Sequence, residues 1–227
     1  MPQRDGRPRR FTRYGGIVRT VNTATQTGES QAARRFYGGK FRRHGLSVDS
    51  LGWQSVEKQE LRFGVLSEIA DLEGRSVLDV GCGFGDLLGW FRNENVNVKY
   101  RGVDLMEDFV KVARERYPGG KFWAFDITGD PPPDFEPPFD YVIASGLLGL
   151  HVGDDYNFAR AVLRRMFEWC RRGLAANMIS TYVDYREDYL AYTQPEEIFR
   201  FCKENLTWKV GLRHDYLPYE FTLYLER

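Results

Sequence analysis

The stretch 77-VLDVGCGFGDLLGWF-91 passes from a short run of branched and apolar residues, through three alternate glycines, into a second apolar run. Gly81, Gly83 and Gly85 let the backbone turn sharply and let a ligand come close, because no Cβ stands in the way. Asp79 and Asp86 put negative charge on either side of the turn. SVLDV (76–80) reads as a strand and residues 85–93 as a helix. The glycines therefore join a strand end to a helix N-terminus.

The same alternation continues along the chain. Residues 55–71 carry Val56, Leu61, Val65, Leu66, Ile69 and Ala70 at near-helical spacing. KYRGVD (99–104) and KFWAFDI (121–127) read as the second and third strands. The helix between them, residues 107–117, stops at Pro118 and two glycines. A proline-rich loop (129–138) leads to the fourth strand, FDYVIASG (139–146). A long helix over 154–171 precedes the fifth strand, GLAANMIS (173–180). Pro195 opens a helix over 195–206, in a first turn where its missing amide has no helical partner. TWKVGLRH (207–214) and EFTLYLE (220–226) close the chain as two strands, and the DYLPY between them reads as too long for a two-residue turn.

Strands alternating with helices predict an α/β fold with a mostly parallel sheet covered on both faces. Right-handed crossovers put every strand-to-helix loop on one rim, where ligands of such sheets bind. The glycine turn lies on that rim. A dinucleotide site wants G-x-G-x-x-G, and here Asp86 occupies the place of the third glycine. An acid at the helix N-terminus competes with a pyrophosphate for the same partial positive charge. A cofactor carrying an ammonium or sulfonium meets no such conflict.

With that acid pattern, DVGCGFGD (79–86) resembles the first motif of class I S-adenosylmethionine (SAM) methyltransferases, acid-x-Gly-x-Gly-x-Gly. The resemblance covers about residues 55–227, and further motifs follow in the family's order. It implies a Rossmann-like, doubly wound, seven-stranded sheet of order 3-2-1-4-5-7-6, with the last strand antiparallel. It implies SAM as cofactor and S-adenosylhomocysteine (SAH) as product. Asp104, ending the second strand, matches the acid that holds the ribose hydroxyls, and Leu105 and Met106 match the apolar packing on adenine. Asp126, with Ile127 beside it, matches the acid that accepts from the adenine amino group. Ser145 and Gly146 match the backbone beside the methionine part. In 52-GWQSVEKQELRF-63, an N-terminal helix of the family's kind would let Arg62 pair with the cofactor carboxylate, aided by Gln59; the alternative is that Arg62 is a surface residue.

A methyl on a sulfonium is already activated, so aligning the nucleophile is most of the task, worth roughly 7–11 kcal/mol in favourable cases. A base is needed only for a protonated nucleophile. His151, after the fourth strand, and His214, at the end of the sixth, are the catalytic candidates. Tyr182 and Tyr185 after the fifth strand, with Tyr216, Tyr219 and Glu220 around the last turn, form a candidate substrate wall. Tyr37 joins them if the segment holding Phe36, Tyr37 and Phe41 is a lid; the same rings would equally anchor that segment to the core. His44 in the same segment has no assigned role.

The rest of the composition bounds these readings. At 227 residues with 42% hydrophobic content, the chain has length for one substantial core. No apolar run approaches a membrane span, and Cys82, Cys170 and Cys202 have no metal-type spacing, so no metal is expected. Unpaired cysteines and the lack of a leader pattern point to the cytoplasm. Residues 1–45 hold 11 of the 32 Lys/Arg but only Asp5 and Glu29 of the acids. They read as a basic, partly disordered arm or lid, with residues 46–227 as the methyltransferase domain.

That arm keeps an RNA or protein methyltransferase open as an alternative, and a non-catalytic SAM-binding protein is a third. The Asp/Asn-Pro-Pro-aromatic motif of base amino-methylation is not present after the fourth strand, which reads ASGLLG (144–149), and DPPPDF (130–135) lies before that strand. With little inserted between the last two strands, a modest pocket is expected. The favoured reading is a small-molecule methyltransferase acting on oxygen, nitrogen or carbon, with no membrane partner and no assigned oligomeric state.

Overall fold

A computed structural model describes residues 28–47, 50 and 55–227. The parallel core of the sheet comprises β1 (Ser76–Val80), β2 (Lys99–Asp104), β3 (Lys121–Ala124), β4 (Phe139–Ala144) and β5 (Cys170–Ser180). A two-residue strand, β6 (Tyr192–Thr193), pairs with the end of β5. The closing hairpin is β7 (Val210–Leu217) and β8 (Glu220–Glu226), and β8 lies antiparallel between β5 and β7. The order β3-β2-β1-β4-β5-β8-β7 is the expected one, with β6 added off the path.

Period-two alternation divides the sheet's side chains between two faces. Leu78 and Val80 of β1, Val142 and Ala144 of β4, Leu174 and Met178 of β5, and Phe221 and Leu223 of β8 meet α5 (Asp155–Trp169) and α6 (Pro195–Asn205) in one cluster. Val77, Tyr141, Ile143 and Ala175 face the other way, against α2 (Val56–Ser67), α3 (Asp86–Asn93) and α4 (Glu107–Arg116). Ser55 caps α2 by accepting from the Lys58 amide at 3.3 Å, and Asp154 caps α5 through Asn157.

Three expectations change. The turn between β7 and β8 is the two residues Pro218 and Tyr219, with Leu217 paired to Glu220. The slack is taken up within β7, whose register shifts between Arg213 and Leu217. The third strand ends at Ala124, so Asp126 lies past it on the loop. Within residues 1–45, Gly28–His44 form a 17-residue helix, α1. Residues 1–27, and 52–54 of the stretch before α2, lie outside the described residues.

Helix α1 docks through rings. Phe41 lies 5.9 Å from Phe84 and 5.5 Å from Phe109, and Tyr37 lies 6.2 Å from Phe109. Met106 joins this third cluster. These rings anchor α1 to the core and carry it across the rim where β1, β2 and β4 end.

Candidate functional site

The glycine turn is built by left-handed backbone. Gly81, Gly83 and Gly85 have φ of 76°, 54° and 79°, in the region where a side chain is strained. The amides of Gly81 and Cys82 both donate to the Val103 carbonyl, at 2.8 and 3.0 Å, and tie the turn to β2. A Cβ on Gly85 would meet Tyr117 at 3.0 Å. Gly85 therefore serves the backbone and the packing of α3, and it does not line the cavity.

That cavity opens over the ends of β1, β2 and β4 under α1. It brings together Asp79, Gly81, Gly83, Asp86, Asp104, Leu105, Met106, Asp126, Ile127, Ser145 and Gly146. Helix α1 contributes Glu29, Ser30 and Tyr37, and α2 contributes Gln59. Asp104 accepts from the amides of Gly83 at 2.9 Å and Met106 at 2.8 Å, which orients its carboxylate. Asp126 accepts from the Thr128 amide and hydroxyl on one oxygen and from the Ser30 hydroxyl of α1 on the other.

The cavity's charge is one-sided. Burial pushes the Asp79 carboxyl up to about 7; the Tyr100 hydroxyl, 2.6 Å away, opposes this, and the charges of Asp104 and Asp86 add to it. Asp104 is also held above its ordinary value, chiefly by desolvation, against the pull of the Met106 and Gly83 amides. Asp86 is paired with Arg116 at 2.6 Å. Ser145 Oγ is buried and has no hydrogen-bond partner. Acids kept above their ordinary range suit a positively charged guest, and an orphaned hydroxyl suits one with polar groups.

A second cavity adjoins the first and shares Tyr37, Gly146 and Leu150 with it. It holds Tyr185, Tyr219 and Glu220 of the expected substrate wall, along with Phe36, Tyr189, Tyr192 and Asn177. Arg62 lies here too. Its Nε donates to Glu220 Oε2 at 2.6 Å, a second fork nitrogen meets Oε1, and Nη1 donates to the Lys58 carbonyl at 2.8 Å. Glu220 Oε2 also accepts from Asn177 Nδ2 at 3.3 Å, and Asn177 Oδ1 accepts from the Gly146 amide at 2.7 Å. A chain of bonds therefore runs from α2 through β8 and β5 to the loop shared by both cavities.

Several expected site residues stand elsewhere. Arg62 is neither a surface residue nor in the first cavity; Glu220 takes its fork. His151 is exposed and bonded through Nδ1 to Asp155 at 2.7 Å, outside both cavities. Strand alternation puts His214 with Leu212 on the α6 side, where its ring stacks on Phe221 at 6.0 Å and lines a separate groove with Glu196 and Phe199. Tyr182 lines that groove as well and bonds Glu196. Tyr216 turns its hydroxyl to Thr222 at 2.9 Å and lines neither cavity. Among the described residues there is no cluster fit to hold a metal ion, and no helix is long and apolar enough to cross a membrane.

Sequence reading missed Ser30, Asn177, Tyr189 and Tyr192. Asn177 had a usable cue: it is the one amide in the otherwise apolar GLAANMIS, and a buried amide needs partners. Tyr189 sits in the loop before β6 and Tyr192 in β6 itself, a two-residue strand with no local signature.

Comparison with known proteins follows the same lines. A methyltransferase-domain family matches residues 78–173. A Mycobacterium tuberculosis protein, itself named a methyltransferase by inference, is 29% identical over 158 residues, covering 67% of this chain and 93% of its own. Magnesium protoporphyrin IX methyltransferase from Synechocystis PCC 6803, solved with SAM, has the same fold at a TM-score of 0.62 and 16% identity, over 91% of this chain and 100% of that one. A Haemonchus contortus phosphoethanolamine N-methyltransferase, solved with phosphomonomethylethanolamine and SAH, overlaps at a TM-score of 0.55 and 18% identity, over 69% of this chain and 38% of that one.

Proposed function

We propose that the chain is a class I S-adenosylmethionine-dependent methyltransferase that moves a methyl group from this cofactor to a small-molecule acceptor, a reading supported by the methyltransferase-domain match, the methyltransferase relative and the shared fold. The observation that carries the reading is the meeting of two unlike cavities at Tyr37, Gly146 and Leu150. One is rich in acids and glycine turns; the other is walled by rings.

In the first cavity, Asp104 would hold the ribose hydroxyls, and Leu105, Met106 and Ile127 would pack on the adenine. Asp126 would take the adenine amino group, in competition with Ser30. Asp79 and Asp86 would face the positive end of the methionine part, with Ser145 and the backbone of Gly81 and Gly146 beside it. When bound, the cofactor supplies a methyl group already activated on a sulfonium. The chain's own residues bind, orient and exclude water. The Asn177 side chain fixes the Gly146 amide, and Tyr37 and Leu150 line both cavities where they adjoin. Glu220 is engaged by Arg62 and Asn177, so its part is to hold the wall rather than to take a proton. Holding the reacting groups in line accounts for most of the acceleration this site needs.

The test is transfer of label from methyl-labelled SAM in a cell extract, afterwards divided into small molecules, RNA and protein. Label in the small-molecule fraction, lost with Asp104→Ala, is the expected result. Label in RNA or protein would overturn the acceptor class, and Asp104→Ala binding SAM as tightly as the unaltered protein would overturn the ribose assignment.

A further inference from the structure

The second cavity has a chemistry of its own. Its rings come from different parts of the chain: Phe36 and Tyr37 from α1, Tyr185 and Tyr189 from the segment after β5, Tyr192 from β6, and Tyr219 from the last turn. Convergence from four places is not the by-product of one apolar helix face. The rings are also braced. Phe36 and Tyr189 stack at 5.7 Å and 21°, and Tyr185 and Tyr219 meet edge-on at 6.1 Å. Tyr219 donates its hydroxyl to Asp184 at 2.6 Å, and Tyr192 accepts from the Glu187 amide at 2.8 Å.

Charge narrows the guest further. Lys58 and Arg62 are balanced by Glu187 and Glu220, and the Arg62–Glu220 fork neutralises itself. A phosphorylated acceptor needs an excess of positive charge, and a quaternary or protonated amine needs an excess of negative. Neither excess is present among the described residues of the wall. Rigid rings present a large contact area at little entropic cost, and they match a guest that is itself flat.

We infer that the methyl acceptor is a flat aromatic molecule without net charge, held among these tyrosines with its nucleophile at the Tyr37–Gly146–Leu150 passage. This rests on the proposed methyltransferase reading and adds the substrate class. It sets the chain apart from a phosphoethanolamine-type enzyme of the same fold.

The experiment is calorimetry in two stages on the full chain. SAH is titrated first, and its binding reports on the cofactor cavity alone. The SAH-loaded protein is then titrated with 2-naphthol, phosphoethanolamine and tetramethylammonium as probes of three chemistries. The expected result is that 2-naphthol binds at least tenfold more tightly than the other two. Tyr185→Ala should weaken 2-naphthol by roughly three- to tenfold and leave SAH affinity unchanged, and Tyr189→Ala, which also removes the ring stacked on Phe36 of α1, should weaken 2-naphthol by a similar factor. Tighter binding of phosphoethanolamine or tetramethylammonium would overturn the inference. So would SAH binding without 2-naphthol binding, or 2-naphthol binding that neither tyrosine variant alters. Failure of SAH to bind would overturn the cofactor reading beneath it.

Discussion

At the scale of single residues, Asp79 ionises against its surroundings. Its ordinary value of 3.8 is pushed to about 7 because burial and two neighbouring acids oppose a charge there. Between those values the folded chain holds a proton that the unfolded chain has released. This site's contribution to stability is therefore present below pH 4 and declines as pH rises toward 7. A cationic ligand acts in the opposite sense, since it prefers the ionised carboxylate. SAM affinity is expected to rise about tenfold from pH 5.5 to 7.0, a window in which an α-amino group stays largely protonated. Calorimetry of the wild type and Asp79→Asn would check this; the variant should lose the slope, and a flat wild-type profile would remove Asp79 from the cation site. Asp79 and the glycines were legible in the sequence because their cue is local, a strand end followed by a turn. Arg62 was not, because what decides its role is Glu220, 158 residues away.

At the scale of elements, the bonds through Arg62, Glu220 and Asn177 join α2, β8 and β5 to the loop after β4. Asn177 presents its carbonyl to the Gly146 amide, so its NH2 must face Glu220. Asn177→Asp keeps the shape but sets carboxylate against carboxylate, at an expected cost of about 2 kcal/mol. Adding Glu220→Gln removes that repulsion and keeps the net charge, but its NH2, placed to donate to the new carboxylate, meets the Arg62 Nε–H that Oε2 now accepts. The pair should therefore recover only part of the loss in urea denaturation, and a double variant as stable as the unaltered protein would dissolve the claim that bond polarity matters here. The alternation of strands and helices was readable from hydrophobic period. Helix α1 was not, because Gly38 and Gly39 interrupt its pattern, and each costs roughly 1 kcal/mol in a helix interior. Docking of Tyr37 and Phe41 on Phe84 and Phe109 offsets that cost, and such docking is tertiary. His214 was misread because its face depends on β7 continuing past it to Leu217: it shares the side of Leu212, toward α6, and does not end its strand at the rim.

For the whole molecule, alternating strands and helices with crossovers of one hand made a mostly parallel sheet legible, while the order of the seven principal strands came from the resemblance of the glycine motif to class I SAM methyltransferases. A ligand bound only by the folded state stabilises the entire chain. SAH at one hundred times its Kd should add about 2.7 kcal/mol. For a chain of this length that raises Tm by roughly 5–10 °C. Calorimetric melting with and without SAH checks it, with Asp104→Ala as the variant that should not respond.

Helix α1 touches both cavities, with Ser30 on Asp126 over the first and Phe36 on Tyr189 over the second, while Tyr37 stands in the wall of each. One helix thus borders both cavities, and a guest that shifts it in one would be felt in the other. Thermodynamics makes the exchange even-handed: whatever factor the cofactor adds to the acceptor's affinity, the acceptor returns to the cofactor. Where each guest steadies the helix for the other, spent cofactor would leave most readily from a molecule whose other chamber has already emptied.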